Sequence, residues 1–118
     1  KLSDKTGKKD VIIPDASANL IWAMQAFEPK GQKIFTALNH SPMGYSMPAT
    51  IGAYMAKEKN SRNIICTIGD GSMAMNVQEL ATIKHFNLPI KIFVIKILIV
   101  PLAIWVFIFW IEVSINMV

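Results

Sequence analysis

The sequence predicts an α/β fold, a parallel sheet with flanking helices. Three observations predict it. Between residues 10 and 95, short β-branched apolar runs alternate with longer stretches whose apolar residues recur at helical spacing. Pro and Gly stand at many of the joints. The resulting order, strand–helix–strand–helix–strand–helix–strand, buries its apolar faces when the strands lie parallel and the helices cover the sheet. A length of 118 residues suits one domain with a core just large enough to be stable.

The elements follow in order. Val11, Ile12 and Ile13 form a short apolar run that ends at Pro14, which predicts a strand. Leu20, Ile21, Met24 and Phe27 are spaced for a helix over 18–27, broken by Gly31. Lys33 to Leu38 is expected as a short strand. Pro48 suits a first helical turn, where its missing N–H is harmless, and 49–56 continues as a helix of small residues. The run from Asn63 to Ile68 is β-branched and apolar, the pattern of a buried strand. Val77, Leu80, Ala81 and Lys84 predict a helix over 76–86, ended before Pro89. Ile90 to Ile95 is the last strand.

Composition narrows the function. A hydrophobic content of 53% without low-complexity tracts excludes a disordered chain. Cys66 is the single cysteine, so neither a disulfide scaffold nor a Cys/His zinc cluster can form, and its apolar neighbours make it a buried small hydrophobe. The net charge of +4 is carried by Lys1, Lys5, Lys8 and Lys9 and by Lys57, Lys59 and Arg62, with no aromatic interleaving, so no nucleic acid partner is expected. The first residue is Lys, as in a fragment or processed product. No secretory signal follows the basic start, and a cytoplasmic location is expected.

The informative site is Ile68-Gly69-Asp70-Gly71-Ser72, between a buried strand and a helix. In open parallel sheets ligands bind at the carboxyl ends of strands. Two glycines allow a sharp turn and close approach of a ligand. The N–H groups of the following helix favour an anion such as phosphate. Asp70 offers a hard oxygen to a cation, and Mg²⁺ commonly takes one or two carboxylates plus phosphate oxygens. The local chemistry is that of a metal–diphosphate site; as a bare tripeptide, Gly-Asp-Gly is also a plain turn.

The residues around it resemble a known family. Gly69-Asp70-Gly71-Ser72-Met73-Ala74-Met75-Asn76-Val77-Gln78-Glu79-Leu80-Ala81-Thr82 is similar to the cofactor motif of thiamine diphosphate-dependent enzymes, in their acetolactate synthase-like branch. Leu88-Pro89-Ile90-Lys91-Ile92-Phe93-Val94-Ile95 continues the likeness, and so does Met43-Gly44-Tyr45-Ser46-Met47-Pro48-Ala49-Thr50-Ile51-Gly52-Ala53. The resemblance covers residues 10–95, a partial cofactor-binding domain. It implies thiamine diphosphate and Mg²⁺ as cofactors, a 2-keto acid substrate, and decarboxylation with carboligation. By resemblance, Asp70 is the side-chain Mg²⁺ ligand, and Gly69, Gly71 and Ser72 form the turn against the diphosphate. Met43 supports the bent cofactor, its N–H and the carbonyl near Ser41 contacting the aminopyrimidine. Asn19 stands where a polar diphosphate contact is often placed, and helix capping is the simpler reading of it. Core filling is the simpler reading of Met43. Neither His40 nor His85 receives a role, and no residue of this chain is assigned a catalytic one.

Two departures from the family pattern stand out. The Asn-Asn pair that follows the last strand, its second member a metal ligand, is replaced by Lys96 and Ile97, so weaker Mg²⁺ binding is expected. The activating glutamate belongs to a pyrimidine-binding domain, which this sequence lacks. That domain would come from the same or a partner chain in a homo-oligomer, and the isolated chain is expected to be inactive. Alternatives are the diphosphate-binding subunit of a split 2-keto acid decarboxylase and a non-catalytic membrane-associated remnant. Residues 96–118 form an apolar tail, uncharged from Ile97 to Ile111. Three readings of it stand: a frameshift after Ile95, a membrane anchor through 92–111, or a buried strand and core helix.

Overall fold

A computed structural model of the chain describes residues 2–56 and 63–96. The basic group Lys57, Lys59 and Arg62 and all of the tail beyond Lys96 lie outside the described residues, and with them most of the 92–111 span. Among the described residues no helix is long and apolar enough to cross a membrane.

Among the described residues nine elements follow one another: α1 (Leu2–Lys5), β1 (Val11–Pro14), α2 (Ala18–Ala26), β2 (Lys33–Ile34), α3 (Ser46–Met55), β3 (Ile64–Gly69), α4 (Asp70–Met75), α5 (Glu79–His85) and β4 (Ile90–Ile95). The four strands form one parallel sheet in the order β2-β1-β3-β4. The predicted α/β class and parallel sheet are what the chain forms. From β1 the chain crosses outward to β2, and from β3 it crosses outward the other way to β4. The path therefore reverses between β1 and β3, which opens a cleft beyond their carboxyl ends.

The central strand explains itself. Ile64 through Ile68 are buried on both faces, as a mid-sheet parallel strand requires. Cys66 and Ile68 point to one face, where they join Met47, Ile83, Leu88 and Ile90 in the main core. Each such aliphatic side chain contributes roughly 1.5–3 kcal/mol on full burial. Thr67 and Ile12 face the other side, toward α2, around a cavity of about 300 Å³ that Trp22, Phe27 and Ile95 also line. At the amino ends of the strands, the buried Asp10 carboxylate accepts the N–H of Gly7 (2.8 Å) and both the N–H and Nδ2 of Asn63 (3.0 Å each), fastening β1 to β3.

Several element bounds differ from the sequence expectation, for physical reasons. The second strand is Lys33–Ile34, not 33–38. The N–H groups of Val11 and Asp15 point to β3, so by alternation the nitrogen of Pro14 faces β2, where it has no hydrogen to give. The ladder stops there. The first long helix ends at Ala26, before Pro29 rather than at Gly31. Its inward face is Asn19 with Leu20 and Ala23, while Ile21 and Met24 are exposed. Apolar residues surround this helix, so spacing alone did not select a face. The third helix starts at Ser46, before Pro48. The expected helix over 76–86 is the shorter α5, Glu79–His85; residues 76–78 form a turn that parts it from α4, and Asn76 leaves the helical region at φ −129° and ψ 32°. The buried face of α5 is Ile83 with Leu80 beside it, and Val77 is exposed. The four-residue α1 was not anticipated. It is tied down where Gln32 Nε2 donates to the carbonyl and hydroxyl of Thr6 (2.9 Å each).

Candidate functional site

The site is assembled at the cleft from three pieces: the exit of β1, the loop before α3, and the turn from β3 into α4. β3 runs directly into α4 without an intervening loop: Gly69 is the last strand residue and Asp70 the first helical one. Gly69 is extended at φ −77° and ψ 157°, so the sharp change of direction falls between it and Asp70. Asp70 and Gly71 are exposed at this bend, whereas Ser72 is buried beneath it. The helix has only six residues, so its attraction for an anion rests on its first free N–H groups rather than on a long dipole.

The loop from Asn39 to Tyr45 comes over the bend. Its key residue, Met43, is 46% exposed, which removes core filling as its explanation. The Met43 methyl lies 3.5 Å from the point a β-carbon on Gly71 would occupy. The fold thus joins two segments singled out separately in the sequence. Gly44 follows at φ +84°, a conformation that favours glycine. A β-carbon there would stand 2.7 Å from Asn76 Nδ2 and 3.1 Å from the Ser72 carbonyl. Ser41 is in the same loop at φ 40°, its N–H bonded to the carbonyl of Ala37 at 2.9 Å. The Tyr45 ring leans on Phe35 with centroids 6.0 Å apart, anchoring the end of the loop to the exit of β2.

Asn19 is buried in α2, with its amide turned onto the end of β3. In the orientation that satisfies the whole amide, its nitrogen donates to Thr67 Oγ1 at 3.0 Å. Its oxygen accepts the N–H groups of Ile68 (3.0 Å) and Gly69 (3.3 Å). Asn19 thereby shapes the approach to the bend from below. It is not the helix cap, a position held by Ser17. His40 and His85 are exposed, and the ring of His85 meets Phe86 edge-on.

Two residues that sequence reasoning missed organise the site. Asp15, directly after β1, is fully buried, and its two oxygens accept the N–H groups of Gly44 (3.0 Å) and Ser46 (2.9 Å). Asn76 donates from Nδ2 to the Gly44 carbonyl at 2.8 Å. An acid at the carboxyl end of an apolar strand was the available signal for Asp15; Asn76 offered none beyond its place in the motif. Cys66 lies deeper, its thiol donating to Ser46 Oγ at 3.3 Å, and burial pushes its pKa above the ordinary thiol range.

For a metal, Asp70 is the exposed carboxylate of the bend, and no group of three or more His, Cys, Asp or Glu among the described residues could hold an ion. One carboxylate suits Mg²⁺ only where a phosphate supplies further oxygens. Gly69 pairs with Ile95, so Lys96 leaves β4 beside the position where Asp70 leaves β3. An exposed ammonium there favours an anion over a bare cation.

Comparison with known proteins identifies the family. The chain is 36% identical over 93 residues to the acetolactate synthase isozyme 2 large subunit of Escherichia coli K12, covering 78% of this chain and 17% of that protein. It is 39% identical over 89 residues to the acetolactate synthase large subunit of Cyanidium caldarium (75% and 15%). It is 38% identical over 90 residues to the probable large subunit of Methanocaldococcus jannaschii (75% and 15%). The chain therefore spans about one sixth of the length of these curated relatives. The family model for the C-terminal TPP-binding domain of thiamine pyrophosphate enzymes matches residues 15–96, from the buried acid after β1 to the end of β4, and the chain belongs to that family.

Proposed function

We propose that this chain supplies the diphosphate-binding part of the cofactor site in an acetolactate synthase-like, thiamine diphosphate-dependent enzyme. The observation that carries the reading is the placing of the Met43 methyl 3.5 Å from where a β-carbon on Gly71 would stand, with Asp70 exposed at the head of α4. A strand-to-helix bend without side chains at Gly69 and Gly71 leaves room for a diphosphate to approach the backbone. The Asp70 carboxylate takes Mg²⁺ together with phosphate oxygens. The exposed thioether of Met43 gives an apolar surface on which a heteroaromatic ring can rest. Ser41, in the same loop with its N–H bonded to the Ala37 carbonyl, keeps its assignment as a backbone contact to the aminopyrimidine as part of this proposal.

When bound, thiamine diphosphate supplies the carbanion-stabilising chemistry for decarboxylating a 2-keto acid and joining the remainder to a second one. The site residues named here bind and orient; none of them is assigned as an acid or base for the reaction. A pyrimidine-binding domain, from the same or a partner chain in a homo-oligomer, completes the site, so this chain alone is inactive toward pyruvate.

The test is calorimetric titration of the chain with thiamine diphosphate, with and without Mg²⁺, beside Asp70→Ala. The expected result is Mg²⁺-assisted binding that weakens about tenfold or more in the variant, a loss on the order of 1.4 kcal/mol. Equal binding by parent and variant would remove Asp70 from the site.

A further inference from the structure

Gly44 is held from both sides. Its N–H belongs to the Met43–Gly44 peptide and is bonded to Asp15 Oδ2 at 3.0 Å. Its carbonyl belongs to the Gly44–Tyr45 peptide and accepts Asn76 Nδ2 at 2.8 Å. Fixing both flanking peptides leaves the residue no free rotation, so the direction in which Met43 leaves the loop is set. The two holding side chains come from opposite walls of the cleft, Asp15 from the exit of β1 and Asn76 from the end of α4. The Asn76 amide is itself oriented, because its oxygen accepts Gln78 Nε2 at 3.2 Å and leaves the nitrogen for Gly44.

We propose that Asp15 and Asn76 are positioning residues for the cofactor, acting together through Gly44 to hold Met43 over the Gly69–Ser72 bend. This rests on the reading of those segments as the cofactor site. Two features separate it from a role in folding alone. Both side chains act on the backbone of the loop that carries Met43, Asp15 on Gly44 and Ser46, Asn76 on Gly44. Asn76 also stands in the turn between α4 and α5, where its neighbour Val77 is exposed, so its side chain is spent on the Gly44 carbonyl and not on packing the two helices.

The experiment compares the full chain with Asn76→Ala and Asp15→Asn. For each, thiamine diphosphate with Mg²⁺ is titrated calorimetrically, melting is recorded, and amide hydrogen exchange is followed at Gly44 and along β3. Asp15→Asn keeps shape and one acceptor oxygen; Asn76→Ala removes a half-buried side chain, and decides the matter should the first variant fail to fold. The expected result is affinity lowered about tenfold in each, faster exchange at Gly44 in Asp15→Asn, and unchanged protection in β3. A fall in melting temperature with affinity within about twofold of the parent in Asn76→Ala assigns the pair to folding and overturns the proposal. If Asp70→Ala loses affinity while Asn76→Ala keeps it, only this proposal fails. If the parent does not bind, or Asp70→Ala binds equally, the reading of the site fails and the proposal with it.

Discussion

The terminal methyl of Met43 stands 3.5 Å from the place of a missing β-carbon on Gly71, a full contact distance for two carbons. A residue 28 positions earlier in the chain thus marks where side-chain volume at the bend would begin to fill the cleft.

Gly71→Ala therefore separates stability from binding. The added methyl meets Met43 at an ordinary contact distance, in a helix where alanine is preferred over glycine by up to about 1 kcal/mol. Melting temperature is expected to hold or rise slightly. Thiamine diphosphate affinity is expected to fall, about tenfold, because the surface offered to the ligand has grown. Unchanged affinity, measured by calorimetry, would place the ligand elsewhere.

Ser17 carries a backbone conformation of φ 64° and ψ −144°, close to a region that glycine alone occupies freely. Its side chain is exposed and makes no cap hydrogen bond to α2. Ser17→Gly is expected to raise stability by about 1 kcal/mol, relief of strain outweighing the extra freedom of the unfolded chain. Urea unfolding should show a higher midpoint at unchanged slope; a lower midpoint would mean that serine is at ease there.

Burial raises the Cys66 thiol above its usual range, against a smaller lowering by hydrogen bonds with Ser46 and Thr50. With the folded pKa above the unfolded one, the protonated thiol favours the folded state, fully so below the unfolded value of about 8.5. That contribution is lost as pH rises through the folded pKa. Unfolding measured from pH 7 to 10 should show falling stability above about pH 8.5, with a shallower fall in Cys66→Ala. Iodoacetamide should label the folded protein far more slowly than the unfolded one. Equal labelling rates, or an identical alkaline slope in the variant, would contradict the buried, protonated thiol.

The sequence was most legible where burial dictates composition. Ile64-Ile65-Cys66-Thr67-Ile68 has no alternative to a central strand, and its glycine-flanked exit drew the eye to Asp70. It was least legible where a residue serves a partner far along the chain. Pro14 shortened β2 through a missing N–H on the neighbouring strand. Asn76 was expected to open a helix and stands instead in the turn before α5, its amide on the Gly44 carbonyl. Asp15 looked like a polar residue after a strand, and its two partners lie 29 and 31 positions away. Asn19 was singled out only by resemblance, as a diphosphate contact or a cap, and its hold on the backbone of Ile68 and Gly69 depends on how α2 lies across the sheet.

The strand order β2-β1-β3-β4 has a kinetic consequence. From β3 through β4 the chain can collapse on local contacts, since α4 and α5 lie between two neighbouring strands. Joining β1 to β3 instead closes a long loop, with Asp10 and Asn63 separated by 53 positions. Late, non-local pairing of this kind is slow. The cleft exists only once that pairing is made, because Asp15 and the bend after Gly69 stand on its two sides. Refolding followed by a fluorescent cofactor analogue should therefore lag behind refolding followed by helix content.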